Sequence, residues 1–151
     1  MKLSSKGRYG LQAVFDLAFH ASEEAAQVKD ICERQHIPPR FLEQVFQDLR
    51  RAGLVRSKRG PRGGYQLACP PEEIRLGDVI RAIDGPVALA LADPDEGCSK
   101  TTSVQVTQRV LTQVAGQIDA CLNRITIQDM CDTALELGLS PHPPAPYVYS
   151  I

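Results

Sequence analysis

Residues 38–67, PPRFLEQVFQDLRRAGLVRSKRGPRGGYQL, constrain the fold of this chain more than any other stretch. Leu42, Val45, Phe46 and Leu49 fall at i, i+3, i+4 and i+7, the spacing of one buried helix face. Pro38 and Pro39 suit the first turn of that helix, where a missing N–H costs nothing, and Gly53 suits its end. Residues 54–57 and 65–67 then read as two strands, joined by residues 58–64, in which Gly60, Gly63 and Gly64 allow positive φ and close backbone approach. The outer face of the helix carries Arg40, Glu43, Gln44, Gln47, Arg50 and Arg51. No acid occurs between Asp48 and Glu72, yet Arg50, Arg51, Arg56, Lys58, Arg59 and Arg62 all lie there. A polar helix beside a cationic two-stranded flap is suited to enter one groove of duplex DNA and reach the next.

Two helices are expected before it. Residues 9–21 place Leu11, Val14, Phe15, Ala18 and Phe19 on one face, and residues 28–34 form a short second helix with Ile31 and Cys32 inward. Helix, helix, helix, hairpin is the order of a winged helix-turn-helix, so the expected fold class is mainly α with a two-stranded wing. The expected division is a DNA-binding domain over 1–70, a dimerisation or effector region over 71–139, and an extended proline-rich tail over 140–151. Within the middle region, residues 76–83 should form a short helix stopped by Gly85 and Pro86, and residues 86–99 a loop. A long helix from about 101 to 123 should follow, capped by Thr101, Thr102 or Ser103. In it Val104, Leu111, Ile118 and Ile125 recur every seven residues, with Thr107, Val114 and Cys121 between them. That is the pattern of a two-helix seam, and the expected partner is a second copy of the chain, through Val104, Leu111, Val114, Ile118 and Cys121. Thr126 and Asp129 form a capping box that opens a last helix, ended by Gly138.

Charge divides the chain in the same way. The first 66 residues hold 12 Lys/Arg against 7 Asp/Glu, and the rest hold 5 against 11, a split hidden by the overall net charge of −1. A basic half facing a polyanion is the simplest reading. No apolar run reaches the roughly 18 residues of a membrane span, and the first residues do not read as a secretory signal; a cytoplasmic protein is expected. The five cysteines are scattered, without a CxxC pair, which suits neither a disulfide framework nor a zinc finger. With no phosphate-binding loop opening a helix, no nucleophile elbow and no paired catalytic carboxylates beside a histidine, an enzyme is not expected.

The site chemistry follows from residue type. Arg40, Glu43 and Gln44 stand near the start of the third helix, where arginine can pair with guanine, glutamine with adenine, and glutamate can accept from cytosine. Arg59 and Arg62, with Gly63 beside them, are placed to enter a narrow minor groove. Lys6, Arg8, Arg50, Arg51 and Lys58 are expected phosphate contacts, and Tyr9 and Tyr65 either phosphate donors or packing residues. Cys32, Cys121 and Cys131 are expected as buried apolar groups. Cys98, in the loop, is the candidate redox-sensing cysteine. The histidines have no ligand-like spacing and are expected at the surface or in caps.

Taken together, Met1-Lys2-Leu3-Ser4-Ser5-Lys6-Gly7-Arg8-Tyr9-Gly10-Leu11, Phe41-Leu42-Glu43-Gln44, Leu49-Arg50-Arg51-Ala52-Gly53-Leu54-Val55, Arg59-Gly60-Pro61-Arg62-Gly63-Gly64-Tyr65 and Gly77-Asp78-Val79-Ile80-Arg81-Ala82-Ile83-Asp84-Gly85 resemble the IscR/CymR group of bacterial winged-helix regulators, the Rrf-two superfamily. The resemblance is dense over residues 1–85, with Leu122-Asn123-Arg124-Ile125-Thr126-Ile127 its best later match. It implies a homodimeric transcription regulator, usually a repressor, whose long helices cross and whose wings read the minor groove. One branch of the family senses through an iron–sulfur cluster held by three cysteines around the loop and the start of the long helix. Here that loop keeps only Cys98, so no resident cofactor is expected. The other branch lacks the cluster, governs cysteine metabolism and ends, like this chain, in an aromatic segment closing on isoleucine. The resemblance thus implies cysteine or sulfur metabolism, or iron–sulfur metabolism, as the regulated function, and cysteine synthase as a partner for the tail through Tyr149 and Ile151. Two other function classes stay open: an interaction protein whose acidic half and tail bind such an enzyme, and a redox or cluster sensor acting through Cys98.

Overall fold

The computed structural model describes residues 3–21, 24–87 and 102–141. Among these residues six helices and one hairpin follow in the order α1 (Ser5–His20), α2 (Val28–Gln35), α3 (Pro39–Arg51), β1 (Val55–Lys58), β2 (Gly64–Leu67), α4 (Leu76–Asp84), α5 (Thr102–Arg124) and α6 (Ile127–Glu136), with a 3-10 turn over Pro71–Glu73 before α4. The strands pair antiparallel, Val55 opposite Leu67 and Lys58 opposite Gly64. This is the mainly helical, winged architecture that the sequence predicts.

Local chemistry sets the ends of the helices. The Ser4 hydroxyl accepts from the Gly7 N–H at 2.8 Å and starts α1 four residues before the apolar pattern does. His36 ends α2 in the left-handed conformation, at φ 53°. At α6 the Thr126 hydroxyl accepts from the Asp129 N–H while the Asp129 carboxylate accepts from the Thr126 N–H, the reciprocal cap predicted from the sequence. The Thr126 N–H, donating to the Asp129 carboxylate, holds that carboxyl below its ordinary pKa.

Among the described residues a large core and a small satellite cluster of Phe19, Cys131 and Ala134 are buried. Leu42, Val45, Phe46 and Leu49 of α3 are fully buried against Ala13, Val14 and Leu17 of α1, as the helical spacing requires. The core continues past residue 70, because Ile74, Val79 and Ile127 are buried with the same side chains. A two-strand-like clamp holds this junction: Leu76 N–H donates to Ile125 at 2.9 Å and Ile127 N–H donates to Ile74 at 2.9 Å, with Arg75 and Thr126 as the paired residues. Burial of α1 differs from the single face expected. Leu11, Phe15 and Ala18 are only half-buried, whereas Ala13, Asp16 and Leu17 are buried, because α2, α3, α4 and α6 all pack around this helix.

Asp16 is the polar member of that core. Fully buried, it accepts from Arg34 Nε at 2.9 Å, Arg34 Nη2 at 2.7 Å and Gln35 Nε2 at 2.9 Å. The bidentate contact satisfies both carboxylate oxygens and raises the pKa of the Arg34 guanidinium. It ties α1 to the end of α2, and so fixes the turn that delivers α3.

Candidate nucleic-acid interface

With its apolar side in the core, α3 leaves Arg40, Glu43, Gln44, Gln47, Arg50 and Arg51 exposed. No side chain caps the N-terminus of α3, which begins at Pro39 after Pro38. Aromatic rings hold two cations beside that end. Arg40 lies over the Phe41 ring at 5.1 Å, Phe41 meets Tyr9 at 5.7 Å, and Arg8 lies over Tyr9 at 5.5 Å. Arg8 of α1 and Arg40 of α3 therefore share one surface, with Tyr9 half-buried beneath it.

The wing is fastened to α3 by its inner face. Tyr65 stacks on Phe46 with ring centroids 4.1 Å apart and planes 3° from parallel. The backbone of Tyr65 also exchanges two 2.8 Å hydrogen bonds with Ala26, and Gln27 Nε2 donates to the Pro61 carbonyl at 3.4 Å. This one-residue bridge before α2 carries no period-2 pattern, and the sequence reading misses it. It also explains the glycine at 64, where φ is 152° and a Cβ would collide with the Ala26 carbonyl. At Gly63 a Cβ would meet the carbonyl oxygens of Lys58 and Gly60, so room is the need there. A Gly64→Ala chain is expected to fold yet lose at least about tenfold in DNA affinity, as the wing is pushed off Ala26. Circular dichroism and a binding titration check this; full affinity would show that the bridge does not position the wing.

At the tip, Lys58, Arg59 and Arg62 are exposed, and Gly63 is half-buried. Among the described residues neither they nor Arg50 makes an ion pair. Their charge is uncompensated and available to a polyanion. Lys6 is different: its ammonium sits 2.5 Å from Asp48 of α3, which Arg51 also approaches at 3.5 Å. Lys6 thus ties α1 to α3, and together Lys6 and Arg51 outweigh the single Asp48 charge between them. Tyr65 is likewise a packing residue by its ring.

The predicted seam on α5 is only partly exposed. Leu111 and Ile118 are half-buried on their own chain, while Val104, Val114 and Cys121 are exposed. Cys121, expected as a buried apolar group and as a seam residue, is exposed on its own chain. Two valines outside the heptad pattern, Val106 and Val110, are more exposed still, at 58% and 51%. Their side of the helix, shared with Val114 and Cys121 at about 3.6 residues per turn, is a wider apolar surface than a two-residue heptad predicts.

Of the other cysteines, Cys131 is buried, with its thiol pKa pushed up to about 11, and Cys32 is half-buried and also raised; burial is the main cause in both. A cluster held by thiolates needs several cysteines converging. Among the described residues no three His, Cys, Asp or Glu side chains do so, and that part of the chain does not fit such a group. Cys98, Tyr149 and Ile151 lie outside the described residues. Among those residues no helix is long and apolar enough to cross a membrane.

Comparison with known proteins matches this arrangement. The Rrf2 family, described as "Iron-dependent Transcriptional regulator", matches residues 3–133. The HTH-type transcriptional regulator IscR of Aliivibrio salmonicida is 42% identical over 130 residues, covering 86% of this chain and 77% of that protein. The T. potens IscR structure superposes with a TM-score of 0.72 at 39% identity, covering 93% of each chain. The structure of CymR, the global cysteine regulator of B. subtilis, gives a TM-score of 0.73 at 32% identity, covering 88% of this chain and 98% of that one.

Proposed function

The chain belongs to the Rrf2 family of DNA-binding transcriptional regulators, and from that membership we propose how it grips its operator: as a homodimer, with α3 in the major groove and the wing tip in the adjoining minor groove. Arg40, Glu43 and Gln44 read base edges, since they are exposed on the first turns of α3 and carry the donors and acceptors that such reading needs. Arg59 and Arg62 enter the minor groove, where its potential favours guanidinium. Arg8, Arg50, Arg51 and Lys58 contact phosphate and set the register; Tyr9 orders Arg8 from beneath. The exposed α5 face carrying Val106, Val110, Val114 and Cys121 meets the same face of a second copy, burying apolar groups that water would otherwise surround. Two copies place two helices about one or two turns of DNA apart, roughly 34–70 Å. Bound across a promoter, such a dimer represses.

The observation that carries this reading is the unpaired cationic tip, held on α3 by the Phe46–Tyr65 stack. It makes a quantitative prediction. Arg59→Ala and Arg62→Ala should each weaken binding and reduce the slope of log K against log salt by about 0.9 for every phosphate left without its cation, or twice that for a dimer. Titrations at several salt concentrations measure it. An unchanged slope removes the wing from the mechanism.

A further inference from the structure

Among the described residues, the hydrogen bonds and ion pairs between α5 and other elements gather near its C-terminal end. Near its C-terminus a polar node locks it to α4. Arg81 donates through Nη1 to Asp119 at 2.7 Å, and through Nη2 to Asn123 Oδ1 at 2.9 Å and to Asp78 at 2.9 Å. Asn123 Nδ2 closes the ring by donating to Asp119 at 2.9 Å. Arg75 adds a hydrogen bond to the Asn123 carbonyl at 3.4 Å. The two helices approach so closely here that a Cβ on Gly77 would overlap Asn123 Oδ1 and crowd Arg81 Nη1 at 2.9 Å. Directly after this node comes the backbone clamp of 74–76 with 125–127. Toward its N-terminus, by contrast, α5 stands exposed, with Val104, Val106 and Val110 uncovered on its own chain.

From this we propose that Arg81 is a positioning residue for operator spacing: with Asp119 and Asn123 it fixes the angle at which α5 leaves the DNA-binding body, and thereby the separation of the two recognition helices. The inference rests on the dimer reading above and deepens it. Its physics is that of a lever. From Asp119 back to Thr102 the helix runs about 25 Å at about 1.5 Å per residue. A tilt of roughly 8° at the root therefore moves the far end about 3.4 Å, the rise of one base pair. Hydrogen bonds are directional, so a guanidinium in a fixed fork resists such a tilt where apolar contacts would slide. Arg81 touches no part of α3 or the wing in any described hydrogen bond or ion pair, so the node controls where a half-site is met and leaves its reading to other residues.

The test uses a duplex selected from a random pool by the full-length protein, together with versions carrying one base pair more or less at the centre, and an isolated half-site. Wild-type protein is expected to prefer its own spacing by at least about tenfold over either neighbour. In Arg81→Met and in the milder Asp119→Asn, that ratio should fall to within about threefold, while affinity for the half-site stays unchanged. Should Arg81→Met lose the half-site through misfolding, Asp119→Asn alone decides. Two outcomes overturn the inference, and they differ. A wild type that sediments as a monomer on its operator removes the dimer reading and this role with it. A wild-type dimer whose folded variants keep the wild-type spacing ratio removes only the role of the node.

Discussion

Arg34→Met should lower the stability of the protein by roughly 3 kcal/mol, the lower end of the range for breaking a buried ion pair from one side. Asp16 is completely buried, and its remaining partner would be the Gln35 amide; Arg34 itself is partly exposed, which keeps the loss from the upper end. For a chain of this length that corresponds to a fall of about 6–12 °C in melting temperature. The cost arises from a stranded carboxylate, so removing both charges should be far milder than removing one. Asp16→Leu combined with Arg34→Met is expected to recover much of the loss, because an apolar pair fills the site without desolvated charge. Urea and thermal denaturation of the two single variants and the double variant measure this. If Arg34→Met cost less than about 1 kcal/mol, or the double variant cost the sum of the singles, the pair would not be the joint between α1 and α2.

The second large effect concerns α5. Val110→Glu and Val114→Glu each set a charge on the exposed apolar face, where a second copy would strip it of water. Monomers should result, and affinity for the two-half-site duplex should fall by about 10²–10⁴-fold, the usual range when a linked second binding module no longer takes part. Affinity for a single half-site should hardly change. Sedimentation and binding titrations read the two quantities separately. A Val110→Glu protein that remains dimeric at micromolar concentration with full affinity would show that this face is not the interface.

How much of this could be read from the sequence depended on where each residue finds its partner. α3 was legible because Leu42, Val45, Phe46 and Leu49 repeat strictly and all point one way; each is fully buried. The hairpin was legible from its glycines and its freedom from acids, to within one residue at each strand end. Asp16 was not, since an acid in a helix reads as solvated until its partners, 18 and 19 residues on, are seen to reach it. Lys6 read as a free cation for the same reason, its partner Asp48 lying 42 residues away. Along α5 the heptad pattern picked out Val104, Leu111, Val114, Ile118 and Cys121 but not the exposed Val106 and Val110. Part of that seam is taken up by its own chain, and the root is held by Arg81, Asp119 and Asn123, polar groups that a hydrophobic pattern cannot register. Recognition-site residues such as Arg40 and Glu43 could be proposed from their place on α3, while the aromatic row that orders Arg8 and Arg40 required the packed structure.

Ile127 lies in the same core as Leu42 and Phe46, so the part of the protein that faces DNA is completed by a residue near the far end of the chain. During synthesis the first three helices leave the ribosome long before that residue does, and their core stays open at one side until it arrives. By then α5 has already been made. A half-finished chain thus leaves the core behind α3 without Ile127, and a chain long enough to supply that residue already carries α5.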